Sequence, residues 1–111
     1  MARTLGKPIR PGYPWTVRLK FAAAGFVPVG ATFRAQIRPR ASASEALAEL
    51  TTDGGGLVRV SDTEIDVTIT AAQTAVLPVG SVEMDVVRTD TSPDQHLGFL
   101  MRIPVVQPVT R

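Results

Sequence analysis

The chain has 111 residues, 44% hydrophobic and 20% charged, which is typical of one globular domain built around a single core. It contains no cysteine and one histidine, which excludes disulfides, thiolate metal sites and multi-histidine metal sites. The formal net charge is only +2, and no apolar run approaches the ~20 residues that a membrane-spanning helix needs.

The first segment, residues 1–14, contains three prolines, two glycines and no acidic residue. Proline removes a backbone donor and keeps the preceding residue out of the helical region, so we expect an extended arm that is disordered unless a neighbouring subunit orders it. The positive charge of this segment has two possible interpretations. The segment is either a solvated tail or an arm that contacts an anionic surface through Arg3, Lys7, Arg10 and Tyr13. The segment lacks the apolar centre of a signal peptide, so we expect the protein to be made in the cytoplasm.

A β-domain is expected over residues 15–111, because apolar and polar residues alternate along much of this region. About seven short strands are predicted, separated by Gly, Pro, Asp and Ser turns, at residues 15–21, 31–38, 46–51, 57–60, 63–70, 82–86 and 97–103. The composition of residues 44–50 would also suit a helix. The predicted core positions are Leu19, Phe33, Ile37, Val67, Ile69, Val86 and Phe99.

The longest regular pattern lies between Thr63 and Arg88. Its two alternating segments flank residues 71–77, a run with helix propensity that Thr70 is expected to cap. The prediction is therefore strand, short helical crossover, strand. With no long helix elsewhere, the whole pattern indicates an antiparallel β-sandwich or an open barrel.

Two connecting regions give further expectations. We expect Phe26 or Val29 to plug the edge of the sandwich, because Pro28 and two glycines forbid a regular helix there. Pro104, at the end of the last strand, predicts an edge position or a bulge.

Carboxylates, the histidine and a glycine run are the candidate chemical groups. Acid–base catalysis needs paired carboxylates in a cleft, but Asp66, Glu83 and Asp85 alternate with apolar residues and should face water. His96 lies near Asp94 in a predicted turn, where a solvent-exposed side chain is expected.

The remaining candidates are weaker. A calcium site made from Asp53, Asp62 and Asp66 matches no known loop spacing. The run 54–56 leads into a strand rather than a helix, so it predicts a turn and not a phosphate cradle. We therefore expect no catalytic residues, no cofactor and no metal.

Basic side chains mark one strand face. Arg34 and Arg38 point outward from the second predicted strand, which suits water or an anionic partner. A single-strand-binding barrel needs exposed stacking aromatics, whereas this chain is only 5% aromatic and its aromatics fall mostly on inward positions or turns. A subunit interface is thus favoured over a nucleic-acid site.

The ordered set of signals resembles the small immunoglobulin-like β-sandwich of tailed-bacteriophage virion proteins, such as the N-terminal domain of baseplate upper proteins and related tail or neck components. Four segments carry the resemblance: GATFRAQIR at 30–38, AELTT at 48–52, IDVTITAAQTAVLPVG at 65–80 and RIPVVQPVTR at 102–111. The chain departs from the family at Val82 and Met84, where aromatic residues are common. Its end at Arg111 favours a small stand-alone subunit over a receptor-binding fibre.

The resemblance implies an all-β, antiparallel immunoglobulin-like sandwich of about seven strands with one short helical crossover. It also implies a non-enzymatic structural protein of the virion, placed in the tail, baseplate, neck or capsid surface. Other virion proteins would be its partners, in a homo-oligomer or symmetric array. The alternatives are a carbohydrate- or host-surface-binding module, which needs Tyr13 and Trp15 exposed side by side, and a small nucleic-acid-binding barrel.

Overall fold

The computed structural model describes residues 2–5, 7–21, 27–40 and 42–110. These residues form an all-β domain with a single short helix. The elements, in chain order, are β1 (Ala2–Leu5), β2 (Trp15–Lys20), β3 (Phe33–Arg38), β4 (Ala48–Thr51), β5 (Leu57–Ser61), β6 (Glu64–Ile69), α1 (Ala71–Ala75), β7 (Gly80–Arg88), β8 (Gln95–His96) and β9 (Phe99–Val105).

The strands form two sheets. The larger sheet has the order β1-β9-β7-β3-β4, with β8 paired to one end of β7, and the smaller sheet has the order β2-β6-β5. Neighbouring strands are antiparallel except β1 and β9, which are parallel. Every predicted strand is present, and the segment that could have been a helix forms β4.

One apolar core joins the inner faces of the two sheets. The alternation predicted from the sequence holds, because Ile65, Val67 and Ile69 on β6 are buried, as are Val82, Met84 and Val86 on β7. The other predicted core positions with described side chains, Leu19, Phe33 and Ile37, are also buried. The side chain of Phe99 lies outside the described part of the chain.

Helix α1 carries the chain from the smaller sheet to the larger one, and its cap is the predicted one. The backbone N–H of Gln73 donates to Thr70 Oγ1 at 3.2 Å, and the backbone N–H of Thr70 donates to Gln73 Oε1 at 3.0 Å. This reciprocal pairing is a capping box, which satisfies two donors that a helix N-terminus otherwise leaves free.

The N-terminal segment lies against the sheet of its own chain. β1 pairs with β9 from Ala2↔Phe99 to Leu5↔Arg102, and pairing resumes at Ile9↔Val105, one residue out of step. Ile9 is fully buried, and it exchanges backbone hydrogen bonds of 2.8 Å with Pro104 and Val106. An extended, proline-containing segment can add a strand wherever a sheet edge offers free backbone groups.

Two local expectations were met only in part. Pro104 is not on an edge strand, since β9 lies between β7 and β1, but the pairing of β9 with the N-terminal segment shifts by one residue between Arg102 and Val105, across Pro104. Val29 does not plug the sandwich, because it occupies the tip of the turn closed by the hydrogen bond from Ala31 N to Pro28 O, and the other candidate, Phe26, lies outside the described residues. The turn needs the positive φ of Gly30, and Val27 is the buried residue there.

Candidate protein-interaction surface

The outer face of the larger sheet is polar and carries charges of both signs. Side chains at alternate positions of its central strands point away from the core. We call this set the charged face; it comprises Arg34, Gln36, Arg38, Glu49, Glu83, Asp85, His96 and Arg102.

Cross-strand hydrogen bonds connect one side of the charged face. Gln36 Nε2 donates to Glu49 Oε2 at 2.8 Å, and Arg38 Nη2 donates to Gln36 Oε1 at 2.7 Å. Arg38 Nη1 also donates to the carbonyl of Ala43 at 2.9 Å, so this guanidinium is held by the loop that follows its own strand. The predicted interaction residue Arg38 is therefore fixed in the face rather than free in solvent.

Glu83 was expected to face water, but only 6% of its surface is exposed. It stands in register with Arg38 on β3 and Arg102 on β9, and Arg102 Nη2 lies 3.8 Å from Glu83 Oε2. Arg102 thus lies beside the carboxylate and Arg38 occupies the adjacent position on β3, and nearby positive charge offsets the cost of burying a carboxylate. A shallow pocket of about 60 Å³ beside it is lined by Gln36, Arg38, Glu83, Met84, Asp85 and Leu100.

His96 pairs with Asp85, not with the nearby Asp94. Its Nε2 lies 2.8 Å from Asp85 Oδ2, and its Nδ1 accepts the backbone N–H of Gly98 at 2.9 Å. Because Nδ1 accepts, a neutral ring carries its proton on Nε2 and donates it to the carboxylate. Both nitrogens are thus engaged, which leaves neither free to take a proton from a nucleophile.

Aspartate–arginine pairs lie at the ends of the strands and on the other sheet. Arg34 Nη2 lies 3.4 Å from Asp94 Oδ2. The hydrogen bond from Arg88, 2.8 Å long, is the main cause that lowers the pKa of Asp90. On the smaller sheet Arg18 binds both oxygens of Asp66, which lowers the pKa of Asp66 and raises that of Arg18.

The predicted interaction residues of the N-terminal segment fall in two places, Arg3 on the edge strand of the larger sheet and Lys7 and Tyr13 near Trp15 and the C-terminus. Arg3 is in β1, opposite Leu100 in the pairing register. Lys7 Nζ stands 5.9 Å from the centroid of the Trp15 ring, whose Nε1 donates to Lys7 O at 3.1 Å. Trp15 is only 3% exposed, so the side-by-side aromatic platform required for the carbohydrate alternative is not formed with Tyr13.

Lys7, Arg10 and Tyr13 belong to one end of the molecule, where β6 and β9 finish and β2 and β7 begin. We call it the helix end, because α1 lies there. The buried Thr74 joins its parts: Thr74 Oγ1 accepts the N–H of Gly12 at 3.1 Å and donates to the carbonyl of Tyr13 at 2.8 Å. Tyr13 Oη in turn donates to Thr110 O at 2.6 Å.

The helix end exposes apolar side chains that our sequence reasoning missed. Besides Tyr13, four valines there are more than 40% exposed: Val76, Val79, Val106 and Val109. We call these five residues the terminal patch. The available signal was apolar residues out of alternation in the proline-containing runs 76–80 and 104–109, where no strand pattern assigns them to a core.

Within the described ranges, no cluster of three or more His, Cys, Asp or Glu side chains could hold a metal ion. Two of the three aspartates considered for calcium have arginine partners, Asp62 with Arg59 and Asp66 with Arg18. In the same ranges no helix has the length and apolar character needed to cross a bilayer.

Comparison with known proteins adds no relative, since no protein-family model matches the chain and no curated protein matches its sequence.

Proposed function

We propose that this chain is a non-enzymatic structural protein of a tailed-bacteriophage virion, acting in the tail, baseplate, neck or capsid surface by binding other virion proteins. The observation that carries the assembly role is the charged face, five strands wide and cross-linked by hydrogen bonds and ion pairs. A flat, pre-ordered polar face of both charge signs fixes partner orientation and excludes wrong partners more than it adds affinity. The virion setting rests on the sequence resemblance.

An immunoglobulin-like sandwich is the architecture we propose for the domain. The strand order supports it: β2-β6-β5 corresponds to B-E-D, and β9-β7-β3-β4 corresponds to G-F-C-C′ of variable-type domains. The inter-sheet disulfide of antibody domains has no counterpart in a chain without cysteine. The inner faces of the two sheets instead meet in one apolar core.

The pairing of the basic side chains favours a protein partner over a nucleic acid. Arg18 is bound to Asp66, Arg34 lies beside Asp94, and Arg38 donates to Gln36 and to a backbone carbonyl. Phosphate binding needs cations that can be given up to the backbone of the nucleic acid. Here each of these guanidinium groups already has an acceptor within the chain.

Quantitative mass spectrometry of virus particles, purified from a culture of the phage that would encode this chain, tests the virion role. We expect peptides of this chain in a fixed ratio to the major capsid protein, with the ratio unchanged after a second density gradient. Peptides found only in the host lysate, and lost from particles on repurification, would contradict the proposal.

A further inference from the structure

The terminal patch is an apolar surface held on a rigid base. Its five side chains are between 42% and 97% exposed. The backbone beneath them is fixed by the hydrogen bonds of Thr74, by Tyr13 Oη on Thr110 O, and by Val106 N donating to Ile9 O at 2.8 Å. Little conformational freedom is lost when such a surface docks, so its apolar area is available for association.

The charge around the terminal patch is positive. Lys7 and Arg10 are exposed beside it, and the segments 7–14, 70–80 and 104–110 that build this end contain no Asp or Glu. The β3–β4 loop at the same end contributes Arg40 and Glu45, which offset each other. Two copies meeting helix end to helix end would therefore bring like charges together, which is unfavourable.

The opposite end of the molecule, which we call the loop end, has the complementary character. Its turns, residues 27–32, 52–53, 61–63 and 89–94, contain four exposed aspartates, and the exposed cations at the adjoining strand ends are Lys20 and Arg34. Val29 stands at the tip of one turn and is 85% exposed, which makes it an apolar knob among these acids.

Arginines on the strands pair with three of these aspartates, and two of the arginines are less exposed than their partners. In the Arg59–Asp62 pair the aspartate side chain is 72% exposed and the arginine 28%, and in the Arg88–Asp90 pair the values are 29% and 13% in the same order. Arg34 and Asp94 are equally exposed, at 43% and 44%. With Asp53, the four aspartates outnumber the two exposed cations, so the balance of exposed charge at the loop end is negative.

We propose that the helix end of one copy docks on the loop end of the next, so that copies of this chain assemble head to tail. Val29 would enter the terminal patch, and loop-end aspartates would face Lys7 and Arg10. A contact between two different surfaces repeats along a ring or an open filament. The inference rests on the proposed assembly role, although not on the virion setting, and it leaves the charged face uncovered for another protein.

Sedimentation velocity of the purified full chain, from micromolar to about 1 mM and at low and high salt, tests this assembly. We expect concentration-dependent species larger than a dimer, which shrink as salt screens the charge contacts. A helix-end variant, Val76→Glu with Val109→Glu, and a loop-end variant, Val29→Ser with Asp53→Asn, should each be monomeric. When the two variants are mixed in equal amounts, they should form a heterodimer and nothing larger. Each variant retains one intact end, so only one contact can form between them.

The matched control is Val58→Glu, which changes a half-exposed valine on the smaller sheet away from both ends and should associate like the wild type. All substituted positions are exposed, and a near-UV circular dichroism spectrum equal to the wild type's confirms folding.

A wild-type monomer at every concentration would overturn the inference and assign the patch to a different protein. A species that stops at two copies and is abolished only by the helix-end variant would overturn it in favour of a two-fold contact. A monomer present in particles at a fixed ratio would leave the proposed function standing and remove only this inference.

Discussion

The charged face and the terminal patch, the two surfaces that we propose for assembly, have opposite internal chemistry. On the charged face the polar groups are largely paired with one another, as in Gln36 with Glu49 and His96 with Asp85. On the terminal patch the backbone is satisfied while apolar side chains remain in water. Desolvating paired charges gains little free energy, whereas burying exposed valines gains about 25 cal/mol per Å². In the proposed assembly, the terminal patch would therefore supply affinity and the charged face would supply specificity.

Truncating a core side chain beneath the charged face should have the largest effect. Phe33 is buried on β3, below the charged face, and truncation to Ala should lower the free energy of unfolding by about 3–5 kcal/mol. Urea unfolding measures this loss. The substitution Val58→Ala, at a half-exposed position, is the control and should change stability by less than about 0.5 kcal/mol. A loss below about 1 kcal/mol at Phe33 would mean that the face assignment of β3 is wrong.

Thr74 tests whether the helix end is held as described. Thr74→Val keeps the shape but leaves the N–H of Gly12 and the carbonyl of Tyr13 without their partner, so we expect a loss of about 1–3 kcal/mol. Thr74→Ser keeps the hydroxyl and should retain most of the stability. Thermal unfolding and hydrogen exchange at Gly12 report the change. Equal stability of the two variants would show that the hydroxyl does not join these segments.

A substitution at Glu83 tests whether the buried carboxylate of the charged face contributes to stability. Glu83→Gln removes the charge that lies between Arg38 and Arg102, and we expect it to cost about 1–2 kcal/mol, a modest value because Arg102 is half exposed. The matched substitution Glu49→Gln, on an exposed carboxylate of the same face, should cost less than about 0.5 kcal/mol. Chemical unfolding of both variants makes the comparison. If the two losses are alike, burial of Glu83 has no energetic consequence.

The smallest expected effect is a pH dependence from Asp90. Its pKa in the folded chain lies below the ordinary value of 3.8, chiefly because of the hydrogen bond from Arg88. The unfolded chain therefore takes up this proton first, and the stabilisation, complete above the ordinary pKa, is lost as the pH falls through the lowered value. Asp90→Asn and Arg88→Gln should each flatten the fall in urea midpoint between pH 5 and about pH 2.5. A slope unchanged in both variants would contradict the assigned pair.

Much of the fold could be predicted because burial imposes a period of two on each strand. The capping box at Thr70 was also readable, since it depends on two side chains three residues apart. The course of residues 2–9 was not, because parallel pairing with β9 depends on a backbone edge and leaves no side-chain signature. Burial of Glu83 was missed for a related reason: its neighbours Arg38 and Arg102 are distant in the sequence and meet it only through strand register.

The central claim, that the helix end is an assembly surface, is tested most directly by hydroxyl-radical footprinting of Tyr13 in the free chain and in purified particles. Tyr13 is 42% exposed in the single chain, and its ring reacts readily when solvent can reach it. We predict strong modification of Tyr13 in the dilute chain and marked protection in the particle. Equal modification in both would contradict the claim.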